Sequence, residues 1–261
     1  MTALRQIASG LTIALLSMCA FGQAGSTGTP AFETVSVKLH QTEGPRGAVQ
    51  VSRVGAGTPR GMFDQLTATN ATVKQLIQFA FRLLDSEIFG PGWIETEGYD
   101  ITARPAVPTT FTQMQAMLRT ILAERFNLRS HRETKEIPVY WLTVADGGAK
   151  LRDAKEEETF NASVAGRSPF RPGFGGIFTV KDLPGFAERL SRGIGRPVVD
   201  KTGIKGRYWF QIEWAADQER PGTVSPALLK ALQEQTGLTL EEHTAPMEVL
   251  VIDSVERPAD K

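Results

Sequence analysis

Thr72-Val73-Lys74-Gln75-Leu76, followed by Phe79-Ala80 and Leu83, returns later in the chain as Thr179-Val180-Lys181-Asp182-Leu183, followed by Phe186-Ala187 and Leu190. A framework repeated this closely points to two related units, whatever else the chain contains. It selects no chemistry. In the first copy Leu76, Phe79, Ala80 and Leu83 fall at i, i+3, i+4 and i+7, one face of a helix, and Thr72 and Gln75 have the spacing of a capping box. The second copy repeats the apolar stripe. Pro184 would remove a hydrogen bond inside that helix, so a later start is expected, with Asp182 as a candidate cap.

Around these helices the same order of elements can be read in each copy. In the first, Trp93-Ile94 and Tyr99 to Ala103 read as two short strands. Met114, Met117, Leu118, Ile121 and Leu122 mark a second helix with a Thr112/Gln115 capping box, and Asn127 to Glu133 with Val139 to Ala145 read as a hairpin. In the second, Val198-Val199 and Tyr208 to Trp214 supply the strand pair. Ser225-Pro226 opens a helix carrying Leu228, Ala231 and Leu232, and Leu238 to His243 with Met247 to Val255 read as the closing hairpin. The stretches Phe32 to Leu39 and Val49 to Val54 alternate in the manner of half-buried strands and precede the first copy only. The expected class is α+β: two related helix-strand-strand-helix-hairpin modules, at 30–145 and 177–258, with extra N-terminal strands. The segment 146–176, rich in glycine, proline and charge, has no period and reads as a linker.

The amino terminus reads as an export signal, residues 1–24: Arg5, a mostly apolar run from Ile7 to Phe21, then small residues at Gly22, Ala24 and Gly25. That run is shorter than the roughly 20 apolar residues of a membrane span, so no transmembrane span is expected in the mature chain. Periplasm or extracellular space is the expected location. Cys19, the chain's single cysteine, would leave with the signal; a lipid-modified Cys19 is disfavoured because Met18 stands where a small residue is expected. Lys plus Arg and Asp plus Glu both number 29. That balance gives no support for a nucleic-acid partner, whose phosphates call for a basic patch.

Asp200-Lys201-Thr202-Gly203 shares residues with the phosphorylated segment of cation-pumping ATPases and with the Lys-Thr-Gly box of penicillin-recognising enzymes. It lacks the following threonine of the first and a serine three residues before a lysine for the second, so it reads as a turn in which Gly203 and Gly206 permit positive φ. The histidines His40, His131 and His243 stand far apart in sequence, and none begins a His-Glu-x-x-His helix. Strand alternation puts His131 and His243 on the polar face of equivalent strands. Gly55 to Gly61 has neither dinucleotide nor P-loop spacing and reads as a turn. No metal, cofactor or catalytic residue is assigned. The aromatic strand of the second copy offers candidate binding residues instead: Asp200, Lys201, Tyr208, Trp209 and Trp214, with core packing as the alternative reading of the aromatics.

Several blocks resemble one family: Phe32-Glu33-Thr34-Val35-Ser36-Val37-Lys38, Gly90-Pro91-Gly92-Trp93-Ile94, Arg125-Phe126-Asn127-Leu128 with His131-Arg132-Glu133-Thr134, Gly195 to Gly203, and Val249 to Asp253 with Glu256-Arg257-Pro258. They are similar to the signature blocks of an uncharacterised secreted family of soil bacteria, a domain of unknown function also found attached to membrane metallopeptidase sensors of the β-lactam-response type. The order helix, strands, helix, hairpin also resembles the short N-terminal domains of secretins and TonB-dependent receptors, a likeness of fold that does not carry function. The family has no established activity, so the resemblance adds little about function. The duplication, the export signal and the missing catalytic sets lead to the expectation of an exported, non-catalytic binding or interaction protein of the cell envelope, its partner another envelope protein or a small envelope-derived ligand. The alternatives are a cell-envelope hydrolase using Asp200, His131 or His243, and a ligand-sensing domain.

Overall fold

Among the described residues of the computed structural model, each of the four α-helices begins where the sequence offers a side chain to its free amides. The structure describes residues 31–42, 44–55, 57–153, 176–180, 182–212, 214 and 224–258. The expected signal peptide and most of the expected linker therefore lie outside the described residues. Thr72 caps α1 (Val73–Phe81): its hydroxyl accepts from the Gln75 amide at 3.1 Å, and the Gln75 side chain accepts from the Thr72 amide at 2.8 Å. α2 (Phe111–Arg125) starts two residues earlier than expected, because Thr110 and Gln113 form the box. Gln115 is not free to cap; it is buried and donates to the Phe79 carbonyl at 2.7 Å, tying α2 to α1. Asp182 caps α3 (Leu183–Ile194), and Pro184 sits in the first turn, where its missing N–H would have no helical partner anyway. Ser225 caps α4 (Pro226–Thr236).

The strands of the first half are β1 (Phe32–Leu39), β2 (Val49–Ser52), β3 (Met62–Phe63), β4 (Gln65–Thr72), β5 (Ile88–Phe89), β6 (Gly98–Pro105), β7 (Thr109–Thr110) and β8 (Arg129–Val144). Those of the second are β9 (Arg152–Asp153), β10 (Gly176–Val180), β11 (Val198–Asp200), β12 (Tyr208–Ile212) and β13 (Leu238–Ser254). The class is α+β. Four of the strands form a sheet in the order β1-β6-β4-β2, all pairs antiparallel, and β10-β12-β9 form another. Trp93 and Ile94 are not a strand but part of a 3₁₀ turn, Gly92–Glu95, which buries Ile94. Val198-Val199 and Tyr208 to Ile212 are strands, but they belong to different sheets.

The largest departure from expectation is at the two hairpins. Each is one long strand, and each strand's partner is the other: β8 and β13 pair antiparallel from Arg129↔Ser254 to Leu238↔Val144. Pro138 and Pro246 both lie within these strands, and neither interrupts the ladder. The Tyr140 amide points away from β13, to the Pro197 carbonyl at 2.7 Å, so Pro138, two residues earlier on the same edge, forgoes no bond to β13. Pro246, opposite Glu136, falls in the same class of pair, and in this middle stretch both strands have an open outer edge where proline is tolerated. β5 joins β13 through Ile88↔Leu250, and β11 joins β8 through Val198↔Tyr140, both parallel.

This four-stranded sheet, β11-β8-β13-β5, connects two cores. Alternation along a strand sends even-numbered residues to one face. Leu250 and Ile252 enter the first core with α1, α2 and the inner faces of β4 and β6, while Tyr140, Leu142, Leu238 and Leu240 enter the second with α3 and α4. Odd-numbered residues form a third, small cluster of Ile137, Val139 and Val249, flanked by Trp141, Ala245, Met247 and Val251.

Candidate functional site

β4 and β6 pair regularly until β4 must leave the sheet for α1, and there the register slips between Ala68 and Ala71. Asn70 sits in the slip with φ of 48°, in the left-handed region that asparagine tolerates better than most residues. Buried to 5 % exposure, it uses every polar atom it has. Its amide donates to Asp100 Oδ1 at 2.8 Å, its Nδ2 to the Gly44 and Pro45 carbonyls at 3.1 Å, and its Oδ1 accepts from Arg46 Nη1 at 2.8 Å. Arg46 also donates through Nη2 to the Thr96 carbonyl. Opposite stands Gly98: a Cβ there would lie 2.0 Å from Asn70 Oδ1 and 2.6 Å from Arg46 Nη1, so no other residue fits without displacing the pair.

Asp100, on β6, also receives His40. Nδ1 of His40 lies 2.9 and 3.0 Å from its two oxygens, just beyond the end of β1, where the His40 amide is pinned to the Gly98 carbonyl. A carboxylate only accepts, so Nδ1 carries a proton toward Asp100 and the other ring nitrogen, Nε2, is not used in this pair. Burial pushes the Asp100 carboxyl up, but the Asn70 amide and His40 outweigh it and hold it below the usual range. On the far side Glu97 accepts from Nε and Nη2 of Arg257, and from the Tyr99 hydroxyl at 3.3 Å. The Arg257 guanidinium holds the Glu97 carboxyl below its ordinary range. Arg257 in turn lies over the Trp93 ring at 4.9 Å, and the tail is fixed by the bond from the Glu256 amide to the Phe126 carbonyl at 2.7 Å.

Of these groups His40, Arg46, Asn70, Glu97 and Arg257 line one cleft of about 740 Å³, walled on its apolar side by Val37, Leu39 and Pro258. That volume lies within the usual range for small-molecule sites. A second hollow of about 500 Å³ lies beside α4, and its Lys150 already donates to the Glu234 carbonyl.

None of the four candidate binding residues whose side chains are described lines either hollow. Asp200 Oδ1 accepts from the amide and hydroxyl of Thr202 at 2.9 and 2.7 Å, a local turn in which Gly203 and Gly206 have φ of 69° and 133°. The Tyr208 hydroxyl donates to the Lys205 carbonyl, Trp214 is buried in the second core, and the Trp209 side chain lies outside the described residues. Lys201 alone meets another group considered from sequence: it lies over the Trp141 ring at 5.3 Å, and His243 stacks on the same ring at 3.6 Å. His131 is exposed and bonded to Asp253 at 2.7 Å. The three imidazoles are thus not brought together, and among the described residues no group of three or more His, Cys, Asp or Glu side chains could hold a metal ion. In the sequence His40 reads only as one of three isolated imidazoles and neither Arg46 nor Asn70 is marked as a site residue; the oddity of a glycine at the start of β6 is the one hint at a crowded corner.

A family model described as a protein of unknown function, DUF3738, matches residues 74–255. Glu97, Gly98, Tyr99 and Asp100 fall inside the matched stretch, whereas His40, Arg46, Asn70 and Arg257 fall outside it. No curated protein and no solved structure matches the chain.

Proposed function

This chain belongs to the DUF3738 family, and we propose that it is an exported, non-catalytic binding or interaction protein of the bacterial cell envelope whose ligand enters the cleft between β1, β6 and the C-terminal tail. The observation that carries the reading is the construction of that cleft. A register slip, a left-handed asparagine and an obligatory glycine converge to hold charged side chains around open space, and backbone strain of this kind concentrates at functional sites. Export is supported by the apolar run from Ile7 to Phe21 and the small residues after it. We also read the two halves as related modules, a reading supported by the repeated Thr-Val-Lys segments and by the matching parallel additions of β5 to β13 and β11 to β8.

Thermal shift of the mature protein against muropeptides, short peptides and β-lactams tests the reading. A true ligand raises the midpoint with the logarithm of its concentration, and Leu39→Lys, which places a charge on the apolar wall, abolishes the shift. A shift unchanged in Leu39→Lys would remove the cleft from the account.

One observation favours a second reading. The His40–Asp100 pair is the arrangement that orients an imidazole for proton transfer, which would suit a cell-envelope hydrolase. Turnover of a bound envelope fragment that is lost in His40→Gln while binding persists would establish that reading against the first.

A further inference from the structure

We infer that the cleft takes a small ligand bearing a single free carboxylate, received by Arg46. The inference rests on the reading of the cleft as a binding site and adds the chemistry of what binds. Of the ionisable groups lining the cleft, Arg257 is neutralised by Glu97, and His40 is bonded to Asp100. Arg46 is different. Its two bonds go to neutral acceptors, Asn70 Oδ1 and the Thr96 carbonyl, and no carboxylate among the described residues lies within ion-pair distance of it. A guanidinium has five N–H donors in one plane. Two are spent on holding it still, and three remain for a ligand, enough for the paired bonds a carboxylate accepts from one arginine.

The guanidinium is positioned before any ligand arrives. Asn70, which holds it, is locked by three further hydrogen bonds, and only a glycine at position 98 leaves room for both side chains where they stand. The rest of the ligand would meet the apolar wall, where Leu39 is 47 % exposed although it is a large aliphatic side chain. Charge selects the class further. Among the described residues one unbalanced positive charge lines the cleft and matches one carboxylate, while a phosphate dianion or a polyanion would also face the Glu97 carboxylate across the same space.

The test is a titration of the mature protein, followed by the NMR signals of the Asn70 and Gly98 amides and the Arg46 Nε–H. The probes are N-acetyl-dialanine, benzoate and butyrate, each against its own amide, with inorganic phosphate as a further arm. At least one acid is expected to saturate in the millimolar range or below with shifts at all three signals. Its amide should bind about tenfold more weakly or worse, the discrimination expected for a charge-assisted pair. Arg46→Gln should remove the preference for acid over amide, and Arg46→Lys should keep part of it, which separates loss of charge from loss of fold. Equal binding of acid and amide would overturn the carboxylate while leaving the cleft a binding site. Equal or tighter binding of phosphate would overturn the choice of carboxylate among anions. Absence of shifts from every probe would overturn the inference outright, and the thermal-shift screen would then judge the binding reading by itself.

Discussion

At the scale of single residues, the polar corner at Asn70 shows how a buried amide can order a surface cation. Gly98→Ala tests that corner directly. The added methyl would press on Asn70 Oδ1, which is held from the other side by the bonds from Nδ2 to Gly44 and Pro45, so it cannot simply swing aside. Overpacking at such a site costs about 1–3 kcal/mol, to be read as a lowered urea midpoint, and ligand binding in the cleft should weaken with it. A substitution as stable as wild type would show that the corner is looser than its distances imply. Asp64 provides a pH test. Thr58, through its hydroxyl, and the amides of Val54 and Gly55 hold its pKa at about 2, against 3.8 ordinarily. A carboxylate with a depressed folded pKa contributes fully above the ordinary value, and its contribution fades as pH falls from about 4 to about 2. Amide exchange at Val54 and Gly55 should therefore accelerate over that window more than the intrinsic chemistry requires. Asp64→Asn should exchange fast throughout and lose the pH dependence.

At the scale of elements, what could be read in the sequence was whatever a helix writes into its own first turn. Thr72 with Gln75, Asp182 and Ser225 with Pro226 all cap as their residue types imply. Thr72→Ala should cost about 1 kcal/mol, measured by chemical denaturation, and Thr112→Ala far less, because the working cap of α2 is Thr110. The reverse ranking would return α2 to the start expected from sequence. The misplaced box is instructive: Thr110/Gln113 and Thr112/Gln115 have the same spacing, and only the tertiary contact of Gln115 with the Phe79 carbonyl decides between them. The hairpins failed for a related reason. A strand's pattern records which side chains are buried but not which strand lies beside it, and a proline in a run looks like a break until the open edge beside it is known. The cleft was invisible for the same cause taken further, since His40, Arg46, Asn70, Glu97 and Arg257 come from five separate stretches of chain with no shared motif.

At the scale of the molecule, the β8–β13 ladder makes each half depend on the other. β8 runs out of the first half but delivers Tyr140 and Leu142 to the second core, and β13 runs out of the second half but delivers Leu250 and Ile252 to the first. Neither half can complete its core alone, because the strand that closes it is continuous with, and paired along its length to, a strand of the other. Linked cores of this kind should unfold together. Leu142 is fully buried in the second core and Leu250 nearly so in the first; truncating either to alanine should cost about 2–5 kcal/mol. In both variants amide exchange should accelerate in both halves, including α1 in Leu142→Ala and α4 in Leu250→Ala. Two independent units would behave otherwise: Leu142→Ala would loosen α3 and α4 while α1 and α2 kept wild-type protection, and unfolding would divide into two transitions. Coupling through the ladder also gives the cleft a second means of control. Its Arg257 wall follows β13 by only a few residues, so damage to the second core should weaken ligand binding in the first half without touching a single residue that lines the site.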